Sequence, residues 1–140
     1  VIKNTDVLII NDEEALQLSK QNNLIDASKK ILKMGPSFLI IKKGANGALL
    51  FGEDQVFSCP SFVVEKCVDP TGAGDTFAGA FISCLNEADN DSFDHMKISV
   101  IKACAMASFC VEDFGVNNIV YKSSAKIDRR IKLLKGEAYL

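Results

Sequence analysis

The sequence holds a single histidine, His95, and no Cys-x-x-Cys pair. A zinc site is therefore not expected, because zinc is held by clustered Cys and His ligands at short, regular spacings. There is no Gly-Lys pair, which excludes a Walker-type phosphate loop built on Gly-Lys-Ser/Thr. No apolar run approaches the roughly 18 residues that a membrane-spanning helix needs. The basic leader, long apolar core and small-residue cleavage site of a secretory signal are not seen either. Charge of one sign is also lacking. With 16 basic and 18 acidic residues the net charge is −2, so neither nucleic acid nor an anionic membrane is an expected partner. Internal repeats, low-complexity stretches and linker-like segments are absent. Residues 1–140 read as one domain.

Hydrophobic residues make up 48% of the chain, enough for a core, and a chain of this length buries about two-thirds of its unfolded surface. Five cysteines (Cys59, Cys67, Cys84, Cys104, Cys110) sit in apolar surroundings. An odd count of scattered, apolar-set cysteines suits buried thiols in a reducing cytosol, so a cytoplasmic protein is expected. His95, in a polar turn or early helix, reads as exposed. The basic residues Lys126, Arg129, Arg130, Lys132 and Lys135 read as a solvated helix face.

Val7 to Ile10 is a short apolar run ending at Asn11 and suits a buried strand. "NDEEALQLSK" follows with its acids early and its lysine late, as the helix dipole prefers. Asp26 to Met34 predicts a helix stopped by Gly35-Pro36. Phe38 to Lys42 is a second buried strand. "ALLF" and "QVFSC" flank a hairpin turn at Gly52 to Asp54, and "SFVVEKCVD" adds extended chain. Helices are expected over Asp75 to Leu85, Lys97 to Val111 (apolar nearly all round) and Ala125 to Leu134, with Ser92 or Asp94 capping the second. The order β-α-α-β-β-β-β-α-α-α predicts an α/β protein with a mostly parallel sheet and helices on both faces.

"VDPTGAGDTFAGAF", Val68 to Phe81, carries the chemistry. A helix N-terminus exposes unpaired N–H groups and partial positive charge, and small residues before it let an anion come close. Thr71 to Asp75 thus reads as a phosphate or oxyanion cradle. A carboxylate there repels phosphate unless it has a task, and taking the proton of an attacking hydroxyl is such a task. Asp75 also suits a plain cap, but a cap does not require three small residues in front of it. The glycines Gly72, Gly74 and Gly79 miss the Gly-x-Gly-x-x-Gly spacing of a dinucleotide fingerprint. Two weaker signals accompany this turn. "KKGANG", Lys42 to Gly47, follows a strand with a lysine and two glycines, a nucleotide-loop pattern that also fits an ordinary β-turn. "NDEE", Asn11 to Glu14, falls at a strand's C-terminal end, where ligands gather in open α/β sheets. Its amide and carboxylate suit either hydrated Mg²⁺ or a helix cap.

In combination these segments resemble the ribokinase-like (PfkB) carbohydrate kinases. "DPTGAGDTFAGAF" is similar to the family's C-terminal signature, "NDEE" to its N-x-x-E motif and "IKKGANGALLF" to its strand-and-glycine nucleotide loop, in the family's order. The resemblance implies a ribokinase-like, Rossmann-like fold and ATP-dependent phosphoryl transfer to a hydroxyl of a sugar or nucleoside. It implies that Asp75 is the catalytic base and that Gly72, Ala73 and Gly74, with the Asp75 backbone, form the anion hole. Lys42, Gly44, Gly47 and Met106 would lie along ATP. Asn11 and Glu14 would organise Mg²⁺ through water. Asp69, Thr71 and Gly115 would match the monovalent-cation (K⁺) site of many members. Family members are about twice this long, so the chain reads as the C-terminal, nucleotide-binding portion. The N-terminal half with most of the sugar pocket, and the lid that often builds a homodimer, have no counterpart here. A rival reading is a non-catalytic module that binds Mg·ATP without an acceptor site.

Overall fold

The computed structural model describes residues 6–62, 72–86, 92–112 and 124–138. The chain divides into two compact units, Val1–Ser58 and Cys59–Leu140.

In the first unit, strand β1 (Val7–Asn11) leads directly into helix α1 (Asp12–Ser19), followed by α2 (Leu24–Lys33), β2 (Phe38–Lys42) and β3 (Ala48–Phe51). Helix α1 ends on Lys20, which adopts φ +59° and donates its N–H to the Leu16 carbonyl at 2.9 Å. Helix α2 starts at Asn23, whose side chain accepts the Asp26 N–H at 2.9 Å. It stops at Met34, before Gly35 with φ +141° and then Pro36, as the sequence predicts.

β1 and β2 pair in parallel, Val7 opposite Phe38 through Asn11 opposite Lys42. β2 and β3 pair antiparallel, Leu39 opposite Phe51 through Lys42 opposite Ala48. β4 (Val56–Cys59) neighbours β3, giving the order β1-β2-β3-β4. The expected hairpin turn is present, with the Gly52 N–H donating to the Gln55 carbonyl at 2.9 Å. The described sheet is therefore mixed where a mostly parallel one was expected. The reason is length. A parallel return needs a crossover of about a dozen residues, and only Lys43 to Gly47 separate β2 from β3. The further extended segment expected after β4 falls largely outside the described residues.

Alternation along β2 and β3 sorts the core. Leu39, Ile41 and Phe51 face Ala15 of α1 and Ile31 of α2, and Leu8, Ile10, Leu24, Leu32 and Leu49 pack around them. Ile40 and Leu50, opposite each other in the ladder, point to the other face and are fully buried too. Each such side chain contributes about 1.5–3 kcal/mol on leaving water.

The second unit contains helices α3 (Ala73–Asn86), α4 (Phe93–Glu112) and α5 (Ser124–Ala138); α3 and α5 both pack on α4. Phe77, Phe81 and Cys84 form the buried stripe of α3, and Ile131 and Leu134 that of α5. Ser92 caps α4 by accepting the His95 N–H at 3.2 Å. The buried hydroxyls of Ser99 and Ser108 donate to the carbonyls of His95 (3.0 Å) and Ala105 (2.6 Å), so neither breaks the helix. Cys59, Cys84, Cys104 and Cys110 are buried thiols outside any disulfide. Cys67 lies outside the described residues. Among the described residues, no helix is long and apolar enough to cross a membrane.

Candidate functional site

Two groups of the expected residues can be built from their elements, one in each unit. In the first unit, the parallel ladder sets Asn11 level with Lys42 at the C-terminal ends of β1 and β2. Asn11 caps α1. Its Oδ1 accepts the Glu14 N–H at 2.8 Å, and Glu14 Oε1 accepts the Asn11 N–H at 2.9 Å. This reciprocal capping box satisfies two of the donors a helix start leaves open. The cap and the metal readings of "NDEE" are not exclusive, because only one of the two Glu14 carboxylate oxygens is committed to the cap and both hydrogen bonds are exposed. A hydrated Mg²⁺ ion, which keeps most of its waters, fits such a second-sphere carboxylate better than a closed cage.

Beyond Lys42 the chain makes a single 3₁₀ turn, Gly44–Asn46. The Lys43 N–H donates to the Gly47 carbonyl at 2.7 Å and closes it. Gly44 has φ +56° and Gly47 φ +88°, conformations that disfavour any side chain. A Cβ added to Gly44 would meet nothing within 4 Å. Among the described residues, Gly44 is thus required for its backbone angle and not for lack of space.

In the second unit, Gly72 is a turn residue with φ +85°, and α3 begins immediately after it. The first bond of the α3 ladder runs from the Thr76 N–H to the Gly72 carbonyl at 2.9 Å. The N–H groups of Gly72, Ala73, Gly74 and Asp75 therefore have no partner within the helix, the general condition for holding an anion at a helix start. The helix starts two residues earlier than the sequence spacing suggests. A first turn makes no ladder bonds of its own N–H groups, so Gly74 weakens it little. Asp75 lies in this first turn and is exposed. Its carboxylate has no hydrogen-bond or ion-pair partner among the described residues, so it does not serve as the helix cap.

Met106 is half-buried on α4. Asp69, Thr71 and Gly115 lie outside the described residues.

Two expectations from the sequence change. His95 is not simply exposed: its Nε2 is shut off from solvent, with no hydrogen-bond partner among the described residues. Lys126, Arg129 and Lys132 are exposed as expected, but Arg130 is not part of a solvated face. Its guanidinium lies 4.2 Å from the Phe62 ring centroid and 3.6 Å from that of Phe109, and Nη1 donates to Ser108 Oγ at 3.0 Å. A planar cation between two rings is a cation–π sandwich. The signal in the sequence was position: Arg130 follows Ile127 by three residues and borders Ile131, at the edge of the apolar stripe. Cys59 and Cys104 form a second unforeseen contact. Hydrogen bonding to Cys59, with burial, pushes the Cys104 thiol well above its ordinary range.

A mixed sheet flanked by helices, followed by a glycine turn at a helix N-terminus, defines an α/β protein. Comparison with known proteins places it more narrowly. The pfkB family carbohydrate kinase profile matches residues 1–122. A nucleoside kinase from Methanocaldococcus jannaschii is 30% identical over 115 residues, 82% of this chain and 35% of that protein. Ribokinase from Thermotoga maritima superposes with a TM-score of 0.78 at 29% identity, covering 94% of this chain and 43% of its own. Aminoimidazole riboside kinase from Salmonella enterica, solved with aminoimidazole riboside and an ATP analogue, gives a TM-score of 0.79 at 25% identity and covers 93% and 43%. The chain has the ribokinase fold and belongs to the pfkB family of carbohydrate kinases. It spans about a third to four-tenths of the length of these relatives.

Proposed function

We propose that this chain is the nucleotide-binding, base-bearing portion of an ATP-dependent kinase that phosphorylates a hydroxyl of a sugar or nucleoside. One observation carries the reading: Asp75 is exposed, its carboxylate has no partner among the described residues, and it lies in the first turn of α3, where four N–H groups have no partner within the helix. A capping aspartate would hydrogen-bond to its own helix start. Asp75 is instead available to take the proton of an acceptor hydroxyl as its oxygen attacks the γ-phosphorus of ATP. The P–O bond to ADP breaks, and the cradle N–H groups steady the charge on the transferring phosphoryl group.

Lys42, Gly44 and Gly47 would lie along ATP, the lysine on phosphate and the open glycines against the flat base or ribose, with Met106 as a further apolar contact. Glu14, steadied by its capping box with Asn11, would hold the waters of the nucleotide's Mg²⁺, which neutralises phosphate charge when bound. Asp69, Thr71 and Gly115 are proposed for a monovalent cation such as K⁺. A cytoplasmic setting and a small polyhydroxyl acceptor go with this reading. The relatives, which include a nucleoside kinase and a ribokinase, support either acceptor class. A second reading is a Mg·ATP-binding module without its own acceptor site.

The test begins with calorimetric titration of Mg·ATP, with and without K⁺, into the folded chain. Acceptor-dependent ADP formation is then assayed against a sugar and nucleoside panel. Saturable binding with turnover supports the kinase reading, and Asp75→Asn is then expected to remove turnover while Mg·ATP affinity stays within about twofold. Binding without turnover supports the module reading. A folded chain that binds no Mg·ATP refutes both, and undiminished turnover by Asp75→Asn refutes the assigned base.

A further inference from the structure

The two ends of the described sheet are built differently. β4, at one end, is four residues long, alternates exposed with buried positions and is followed at once by Pro60, as suits a strand at an edge. β1 stands at the other end. It holds no charge, proline or glycine, and Val7, Leu8, Ile9 and Ile10 make it apolar on both faces, as in strands with a neighbour on each side. All four are nonetheless half-exposed, while Leu39, Ile40 and Ile41 beside them on β2 are fully buried.

One bond shows which main-chain groups of β1 are open. The Asp6 carbonyl accepts the Phe38 N–H at 3.0 Å, so the main-chain groups of Asp6, Leu8 and Ile10 face β2 and those of Val7, Ile9 and Asn11 face outward. The outward N–H of Asn11 is taken by Glu14 Oε1 at 2.9 Å. The outward groups of Val7 and Ile9 have no partner strand among the described residues.

We propose that this edge is a self-association site, where β1 pairs antiparallel with β1 of a second copy of this chain about a two-fold axis at Leu8. Val7 then lies opposite Ile9 of the partner subunit, and Ile9 opposite Val7 of the partner subunit. Each pair exchanges both N–H···O=C bonds. A second copy fits because the open groups are self-complementary: the two residues that carry them flank one residue, so a single rotation satisfies them all. A register with Ile9 opposite itself would set Val7 against Asn11, whose N–H is committed to the helix cap. No charge lies within Val7–Ile10 to repel its own copy, and the net charge of the chain is only −2. The capping box of Asn11 and Glu14 stays outside the pairing.

The test is sedimentation velocity of the whole chain from about 10 µM to 1 mM, a range that covers small, weak interfaces, with amide hydrogen exchange measured at both ends of it. A monomer–dimer equilibrium is expected, with the Val7 and Ile9 amides exchanging about tenfold more slowly at the higher concentration. The Leu8 and Ile10 amides, turned toward β2, should exchange alike at both. Ile9→Pro removes one outward N–H and none of the bonds to β2, and is expected to be a folded monomer throughout. Should it fail to fold, Val7→Pro makes the same test at the first residue of the strand. A parent protein that stays monomeric at the highest concentration overturns the proposal and leaves the edge to a strand of another polypeptide. A dimer in which Val7 and Ile9 exchange freely, or one that the proline variants retain, overturns it as well.

Discussion

Gly72 and Gly79 stand seven residues apart, one before α3 and one within it, and alanine should act on them in opposite directions. At Gly72 the backbone has φ +85°. Among the described residues the new methyl would meet only Cys110 Sγ, at 3.8 Å, so no steric overlap is seen there and the penalty is conformational. An L-residue held at positive φ costs about 1–2 kcal/mol. Restricting the unfolded chain offsets about 0.4–1 kcal/mol of that. Gly72→Ala should therefore destabilise by about 1 kcal/mol. Gly79 is an exposed residue inside the helix, outside the positive-φ set, and its added Cβ would meet nothing within 4 Å. Gly79→Ala should stabilise by about 0.5–1 kcal/mol. The two variants should differ by nearly 2 kcal/mol, readable as a separation of urea midpoints and of melting temperatures by roughly 6 °C. Changes of the same sign and similar size would refute the claim that the turn is held at positive φ, and with it the geometry of the cradle.

Outcomes are also expected for four further variants. Asn11→Ala should cost about 1 kcal/mol in urea unfolding. Glu14→Gln should cost about half of that, since the amide still reaches the Asn11 N–H but loses its charge. Only Glu14→Gln's loss of Mg·ATP affinity should then exceed its loss of stability, as calorimetry would show. Arg130→Lys should destabilise by about 1–2 kcal/mol, because an ammonium neither stacks between Phe62 and Phe109 nor keeps the fixed geometry to Ser108; a variant as stable as the parent would refute a stabilising sandwich. The raised Cys104 pKa makes the folded chain hold its proton where the unfolded chain has lost it. That contribution is complete below the ordinary thiol pKa of about 8.5 and is lost as pH rises through the folded value, at up to about 1.4 kcal/mol per pH unit. Melting temperatures between about pH 7 and pH 10 should fall less steeply in Cys104→Ala.

The parts of this fold that were legible in the sequence are those governed by local chemistry. β2 runs over Phe38–Lys42 as its apolar run predicts, and α2 stops at the Gly35-Pro36 signal. The three motifs were likewise local: a capping pair, a turn with two glycines, and a glycine turn before a helix. Contacts between distant segments were not legible. Arg130 reads as one more basic residue until Phe62 and Phe109 close on it, and its bond to Ser108 spans 22 residues. The mixed sheet shows a different limit. Its strands were identifiable, but strand direction follows from whether a link is long enough to cross over, and the five residues between β2 and β3 are too few. Within "NDEE", the residue types fit both a cap and a metal site, and only the two reciprocal hydrogen bonds show that the cap is formed.

The pairing of Asn11 with Lys42 has a consequence for how this chain can be edited, in evolution or at the bench. Their alignment is enforced by ladder register and not by the 30 residues between them. The α1–α2 segment can therefore gain or lose length at its loops while both side chains keep their relative place. A single-residue deletion inside β2 is a different matter. It inverts the parity of the strand, turning Ile40 toward α1 and α2 and carrying Lys42 to the wrong side. Tolerance to insertion is thus partitioned along the chain, with permissive joints such as Gly52 to Gln55 alternating with five-residue strands in which no frame other than the present one keeps both the core and the Asn11–Lys42 alignment.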